Sequence, residues 1–249
     1  MNRNIAISVV SHGQVALLNK YLPSIVSCPE ISELVVTHNV LENELEVEIP
    51  AKVKLIVIKN EGKKGFGENH NQAFKETSSE FFCVVNPDIW LLENVFSKLV
   101  TVMSKDENFG LLSTIVLDKE GHIQDSFRNF PDILSLLRRR LVRRKPHLSI
   151  ITQKEEIIRP EWIAGMFMFF RSSLYQQILG FDEKFFLYCE DIDISLKTLR
   201  HGFSIGVCSD LSVYHDARRD SSKNLAYLKL HLNSLIRLYT LYPKKAIGI

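Results

Sequence analysis

Apolar runs of strand length alternate with stretches of helical periodicity along the first part of the chain. "IAISVV" (5–10) reads as a buried strand, and "QVALLNKYLPSIVS" after it as a helix. Two more short apolar runs follow, "ELVVT" (33–37) and "VKLIVI" (53–58). "GENHNQAFKET" (67–77) has a helical pattern and "EFFCVV" (80–85) that of another strand. The β-α-β alternation predicts an α/β protein with a mostly parallel, doubly wound sheet flanked by helices. Such sheets bind ligands at the carboxyl ends of their strands. The strand exits to search are therefore "SHG" with Ser11 and His12, "THN" with Asn39, "NEGKKGFGENHN" and "NPD".

The second half is less regular. "GLLSTIVLD" (110–118) is predicted as a strand, "WIAGMFMFF" (162–170) as one central strand, and a basic helix is expected after Pro131. "EDIDISLKTLRHG" (190–202) carries acids in its first turn and Arg-His-Gly at its end, which suits both the helix macrodipole and a glycine stop. Residues 222–241 are predicted to form a final amphipathic helix, with Leu228, Leu232, Leu235 and Leu238 suiting a core face better than a dimer face. No internal repeat, low-complexity tract or linker divides the chain.

Charge and cysteine content narrow the function classes. The 249 residues hold 31 basic and 29 acidic side chains, a net charge of +2, so the molecule as a whole is not a general nucleic-acid binder. The charge is uneven, because "RRRLVRRK" (138–145) holds six cations in eight residues. Cys28, Cys83, Cys189 and Cys208 make no CxxC pair, which argues against a zinc knuckle or a redox motif. Three of them sit in apolar surroundings and are expected to be buried and reduced, as in a cytoplasmic protein. The opening apolar run is too short for a signal peptide, and no stretch reaches the roughly 18 apolar residues of a membrane span.

Four segments are candidates for chemistry. Gly62, Gly65 and Gly67 are spaced GxxGxG, which matches neither a dinucleotide fingerprint nor a P-loop. Such a turn can bring backbone N–H groups to a phosphate, or be a plain surface turn. Pro87 ends a strand and places Asp88 at its carboxyl end, where a carboxylate can hold a divalent cation or simply close an Asx turn. In "FFLYCEDIDISLK" the acids at the helix start suit its positive end. Asp193 is expected to pair with Lys197 on the surface. Asp191 has no basic partner within one turn and lies nearest the aromatics. Partial desolvation would raise its pKa and fit it to act as a base. His215, at a strand exit in "VYHDARR", is open to completing a metal site with Asp88 or to a structural role, and Arg218 and Arg219 to binding phosphate oxygens.

Read in order, "ISVVSHG", "NEGKKGFGENHN", "NPDIWL", "WIAGMFMFFRSSLYQQILGFDEKFFLYCEDIDISLKTLRHGF" and "SVYHDARRDS" resemble the family 2 glycosyltransferases of bacterial polysaccharide synthesis, closest to the rhamnosyltransferase-like branch. The resemblance spans residues 5 to 240 and implies a GT-A fold, with a Rossmann-like mixed sheet in a single domain. Residues 1–90 would form the nucleotide-sugar half, 91–221 the acceptor and catalytic half, and 222–249 a C-terminal helix. It implies a metal-dependent, inverting transfer from a dTDP- or UDP-sugar to a glycan or lipid-linked acceptor. Asp88 matches the last acid of the family's metal motif, with Asn86 where another acid often stands, and His215 matches a histidine that can join it on Mg2+ or Mn2+. Asp191 matches the general base, with Glu190 beside it. Gly65, Phe66, Gly67 and Asn69 match the nucleotide-sugar loop. Gly165, after Trp162, matches a small residue beside the sugar, and the aromatics before Glu190 would wall the acceptor pocket. The family's base-reading Asp at the end of the second strand is replaced here by "THN", leaving Asn39 to face a base edge.

"PDILSLLRRRLVRRKPH" (131–147) suits an amphipathic helix on an anionic membrane surface, which would place the protein peripherally at the inner leaflet. A solvated helix face or a loop beside the acceptor site is the other reading. A sugar-phosphate nucleotidyltransferase is disfavoured because "VVSHGQ" lacks a GxGTR-like loop. A non-enzymatic RNA- or membrane-binding module would use the arginine run but leaves Asp88, Asp191 and His215 unexplained. A degenerate transferase is the remaining alternative.

Overall fold

The computed structural model describes residues 4–129, 156–216 and 225–243. Its elements begin with β1 (Ile5–Ser11), α1 (Val15–Val26), β2 (Ile31–His38), β3 (Lys54–Lys59), α2 (Phe66–Lys75), β4 (Phe81–Val85), β5 (Ile89–Trp90), α3 (Phe96–Lys105) and β6 (Phe109–Leu117). They continue with β7 (Phe127–Arg128), β8 (Ile157–Ile158), β9 (Trp162–Ile163), β10 (Phe167–Arg171), α4 (Ser172–Gln177), α5 (Glu190–Arg200), β11 (Ser204–His215) and α6 (Leu225–Leu241).

One mixed sheet runs in the order β3-β2-β1-β4-β10-β6-β11-β5, with β8 also on β11. The first four strands are parallel. β10 enters antiparallel to both β4 and β6, and β11 runs parallel to β6. Two reversals restore direction, so β6 and β11 end at the same edge as β1 to β4. β10 starts there. The central strands are covered on both faces, which explains their unbroken apolar runs. Ile5, Ile7 and Val9 face one buried cluster with α1 and α3, while Ala6, Phe82, Val84 and Phe170 face another with Tyr175, Phe181 and Ile194. This is the strand period of two applied to a two-sided core.

"WIAGMFMFF" is not one strand. Trp162 and Ile163 pair with β7 in a separate two-stranded ladder, and the central strand begins only at Phe167. The turn between them contains Gly165, where an added Cβ would come within 3.1 Å of the Phe66 ring. A close approach of this kind favours glycine and redirects the chain.

The last helix meets the core through Leu238, with Leu235 half-buried against it, whereas Leu228 is only half-buried and Leu232 is 44% exposed, so the four leucines do not form one core face. Leu238 and Tyr242 pack with Trp162, Phe185, Ile192 and Leu196. Three polar ties join this end of the chain to the segment leading into α5 and to α5 itself. Ser234 Oγ donates to the Leu187 carbonyl at 2.8 Å, Arg237 pairs with Asp182, and Tyr242 Oη donates to Asp193 Oδ1 at 2.7 Å. All four cysteines are buried and free. Among the described residues no helix is long and apolar enough to cross a membrane. The basic segment 131–147 and Arg218 and Arg219 lie outside the described residues.

Candidate active site

The strand edge collects the predicted residues because β4, β10 and β11 deliver them there. Asn86 N donates to the Met166 carbonyl at 2.9 Å, which joins the Asn-Pro-Asp turn to the start of β10. Ile89 N then donates back to the Asn86 carbonyl at 3.2 Å, closing the turn that presents Asp88. β5 pairs with the end of β11, with Ile89 opposite His215. As a result His215 Nε2 lies 3.1 Å from Asp88 Oδ1, and both residues are buried. The other face of the imidazole meets Gln124, whose Oε1 is 2.8 Å from His215 Nδ1 and whose Nε2 donates to the His215 carbonyl at 3.0 Å.

This pair fits a divalent cation. Adjacent corners of an octahedron with bonds of about 2.1 Å lie about 3.0 Å apart, close to the observed separation. Asp118, Glu120 and His122 also bring ligand atoms together, within 4.8 Å of one another. They stand on an exposed turn past β6, where Asp118 Oδ1 is occupied by the N–H groups of Glu120 and His122.

Asp191 stands one residue into α5. Tyr188 and Cys189 both adopt left-handed φ, 72° and 66°, immediately before the helix. Two such non-glycine residues in succession are strained, and this one turn swings the carboxylates out of the aromatic segment. Asp191 Oδ1 accepts from Ile192 N at 2.8 Å and Oδ2 from Gly165 N at 3.3 Å. Ser195 secures the helix by donating to the Asp191 carbonyl and accepting from Ile163 N. Burial raises the Asp191 pKa to about 6, against the pull of the two backbone N–H groups and the more distant Arg128. Glu190 is buried more deeply. Burial and the adjacent Asp191 charge hold its pKa well above the carboxylate range, and among the described residues Oε2 has no hydrogen-bond partner.

The glycine loop closes against this wall. A Cβ on Gly65 would lie 2.8 Å from the Phe186 carbonyl, and one on Gly67 2.5 Å from Phe181 Cβ. Phe66 N donates to that same Phe186 carbonyl at 2.9 Å. These two glycines are thus required for packing onto residues 181–186, while Gly62 faces open space. Asn39 Nδ2 donates to the Lys64 carbonyl and Asn39 Oδ1 accepts from Lys64 N, each at 2.9 Å. Asn69 donates to the Gly65 carbonyl and accepts from Asn60. Asn39 and Asn69 staple the loop from both sides. Next to them His38 pairs with Glu42 at 2.9 Å, and Ser11 Oγ donates to the same carboxylate at 2.7 Å. His12 is exposed, with Nδ1 3.4 Å from Asn39 Nδ2.

The sequence profile described as "Glycosyltransferase like family 2" matches residues 4–233. The chain belongs to this family. It is 26% identical over 247 residues to rhamnosyltransferase WbbL of Escherichia coli K12, covering 94% of this chain and 91% of that protein. It is 26% identical over 176 residues to an N-acetylglucosaminyl-diphospho-decaprenol L-rhamnosyltransferase of Mycobacterium tuberculosis, covering 68% of this chain and 57% of that one. Among solved structures, GalNAc-T7 with UDP, GalNAc and Mn2+ superposes with a TM-score of 0.71 at 15% identity, over 98% of this chain and 48% of its own. The fold is that of the GT-A glycosyltransferases, and the protein is a glycosyltransferase.

In this family 2 enzyme, Asp88 and His215 meet directly. Asn86, Gly165, Asp191 and Phe66 form one chain of contacts through Met166. Trp162 is buried beside them, stacked under Arg128 with ring and guanidinium 5.8 Å apart. Two expectations fail. Asp193 makes no surface pair with Lys197, because it faces inward, 1% exposed, toward Tyr242, and Lys197 Nζ donates to the Gly180 carbonyl instead. Phe185 is fully buried against Leu238 and Tyr242 and so walls no pocket, whereas Phe186 is 46% exposed. Gln124, Glu42 and Arg128 carry no motif. Gln124 meets His215 through strand pairing, and Arg128 lies over Trp162 through the β7–β9 ladder, so no spacing along the chain marks these two; Glu42 pairs with His38 at i,i+4.

Proposed function

We propose that this glycosyltransferase catalyses an inverting, metal-dependent transfer of a sugar, rhamnose from a dTDP-sugar, to a lipid-linked glycan acceptor in surface polysaccharide synthesis. The observation that carries the reading is the carboxylate of Asp191, raised to a pKa of about 6 by burial and aimed by Gly165 N at the strand edge. An acceptor hydroxyl attacks the anomeric carbon as its proton passes to Asp191. The bond from that carbon to the diphosphate oxygen breaks, and the nucleoside diphosphate leaves with the bonding electrons. One displacement inverts the centre, without a covalent enzyme intermediate. Asp88 and His215 would hold Mg2+ or Mn2+, whose charge offsets that of the departing diphosphate. Phe66 and the loop fixed by Asn39 and Asn69 position the donor. Ser11, His12 and Asn86 complete that side, and Trp162, Gly165 and Glu190 the acceptor side. The names of the two rhamnosyltransferase relatives support the sugar, and the mycobacterial name supports a lipid-linked acceptor. The protein acts as one domain at the cytoplasmic membrane face.

The test is a panel of nucleotide sugars with Mn2+ and a lipid diphosphate-sugar acceptor, followed by nucleotide release. Release from dTDP-rhamnose that disappears in EDTA and in Asp191→Asn is expected. Release from another donor alone would overturn the rhamnosyl assignment, and release insensitive to EDTA would overturn the metal.

A further inference from the structure

We propose that Gln124 is the positioning residue that presents His215 to the metal, by holding its imidazole as the Nδ1–H tautomer. The inference rests on Asp88 and His215 being the cation ligands.

The argument begins with the orientation of a carboxamide. The His215 carbonyl can only accept a hydrogen bond, so the Gln124 atom 3.0 Å from it is Nε2. The opposite atom, 2.8 Å from His215 Nδ1, is then Oε1, which also only accepts. Nδ1 must carry the hydrogen. In a neutral imidazole the other nitrogen is then bare, and its lone pair is available to a ligand. That nitrogen is Nε2, 3.1 Å from Asp88 Oδ1. Two electron-pair donors therefore converge on one point, as two ligands of one cation do.

The fold keeps Gln124 in place. Its backbone N donates to the Val116 carbonyl at 2.8 Å, so it is attached to the end of β6. β6 in turn pairs with β11 through Leu117 and Tyr214, one residue before His215. A single side chain thus grips both the main chain and the ring of the same residue. The carbonyl contact sets which way the amide faces, and the ring contact passes that choice to the metal side. A leucine here would remove both contacts. A glutamate would keep an acceptor for Nδ1–H but could not donate to the carbonyl.

Two measurements on the full chain test this. The first is the long-range proton–nitrogen NMR spectrum of metal-free, histidine-labelled protein near pH 8.5, with the His215 signals identified by their loss in His215→Asn. The Nδ1–H pattern is expected, and an Nε2–H pattern overturns the proposal whatever the variants do. The second is Mn2+ affinity by electron paramagnetic resonance titration with UDP as the added nucleotide. Gln124→Leu should weaken Mn2+ binding by about 10–100-fold, the usual cost of losing such a support. Gln124→Glu should bind Mn2+ about as well as the wild type. Equal weakening in both variants would mean that the carbonyl contact matters and the ring contact does not, and would overturn the proposal. So would unchanged affinity in Gln124→Leu. Failure of the wild type to bind Mn2+ would overturn the metal assignment itself along with this inference.

Discussion

Asp191→Asn should make the protein inactive and, at alkaline pH, more stable. Burial moves the carboxyl from 3.8 to about 6. At about 1.36 kcal/mol per unit, a shift of about 2 units means that ionising Asp191 costs the native state about 3 kcal/mol. The folded value lies above the unfolded one, so the native protein holds this proton more tightly. The cost is therefore absent well below pH 4 and complete only above about pH 7. Near pH 4.5 only about 1 kcal/mol of it has developed, and near pH 8 all of it has. Asparagine removes the Asp191 titration and the charge beside Glu190, whose own burial still holds its pKa above the carboxylate range. Its carboxamide accepts from Ile192 N or Gly165 N but turns an NH2 toward the other, a loss of about 1–2 kcal/mol that does not depend on pH. The stability difference between variant and wild type should thus move by about 2 kcal/mol in favour of the variant between about pH 4.5 and pH 8. Urea unfolding at both pH values measures it, provided the m-values agree. A difference that stays constant with pH would refute the reasoning, since the carboxylate would then not be disfavoured by its surroundings. Transfer should fall by about 10²–10⁴-fold, the usual contribution of a general base.

Gly67→Ala places a Cβ 2.5 Å from Phe181 Cβ and should cost about 1–3 kcal/mol in urea unfolding while weakening nucleotide binding. Gly62→Ala, whose Cβ meets nothing within 4 Å, should change neither. Tyr242→Phe leaves the buried Asp193 carboxylate without its donor and should destabilise the fold by about 1–3 kcal/mol near neutral pH. Burial already raises the Asp193 pKa, so this penalty should shrink as the medium is acidified and the carboxyl takes up its proton. A penalty unchanged in acid would count against that account.

The sequence by itself determined the alternation of strands and helices in the first half and the placing of Asp88 and Asp191 at element boundaries. Those properties are local: apolar period, a proline that ends β4, glycines at turns, acids in a helix's first turn. Asp88 and Asp191 were legible because each sits where an element ends, and element ends are written in neighbouring residues. Only the tertiary structure decided what each side chain touches. Asp193 is spaced to meet Lys197, yet α6 closes over it and Tyr242 takes the bond. Gly65 and Gly67 looked like a phosphate cradle, and the contact that requires them is the packing of Phe66 and its loop against Phe181 and Phe186. Gln124 lies 91 residues from His215 and meets it because β6 and β11 pair in one register. Contacts of that kind depend on strand pairing across the whole sheet, and no pattern along the chain encodes them.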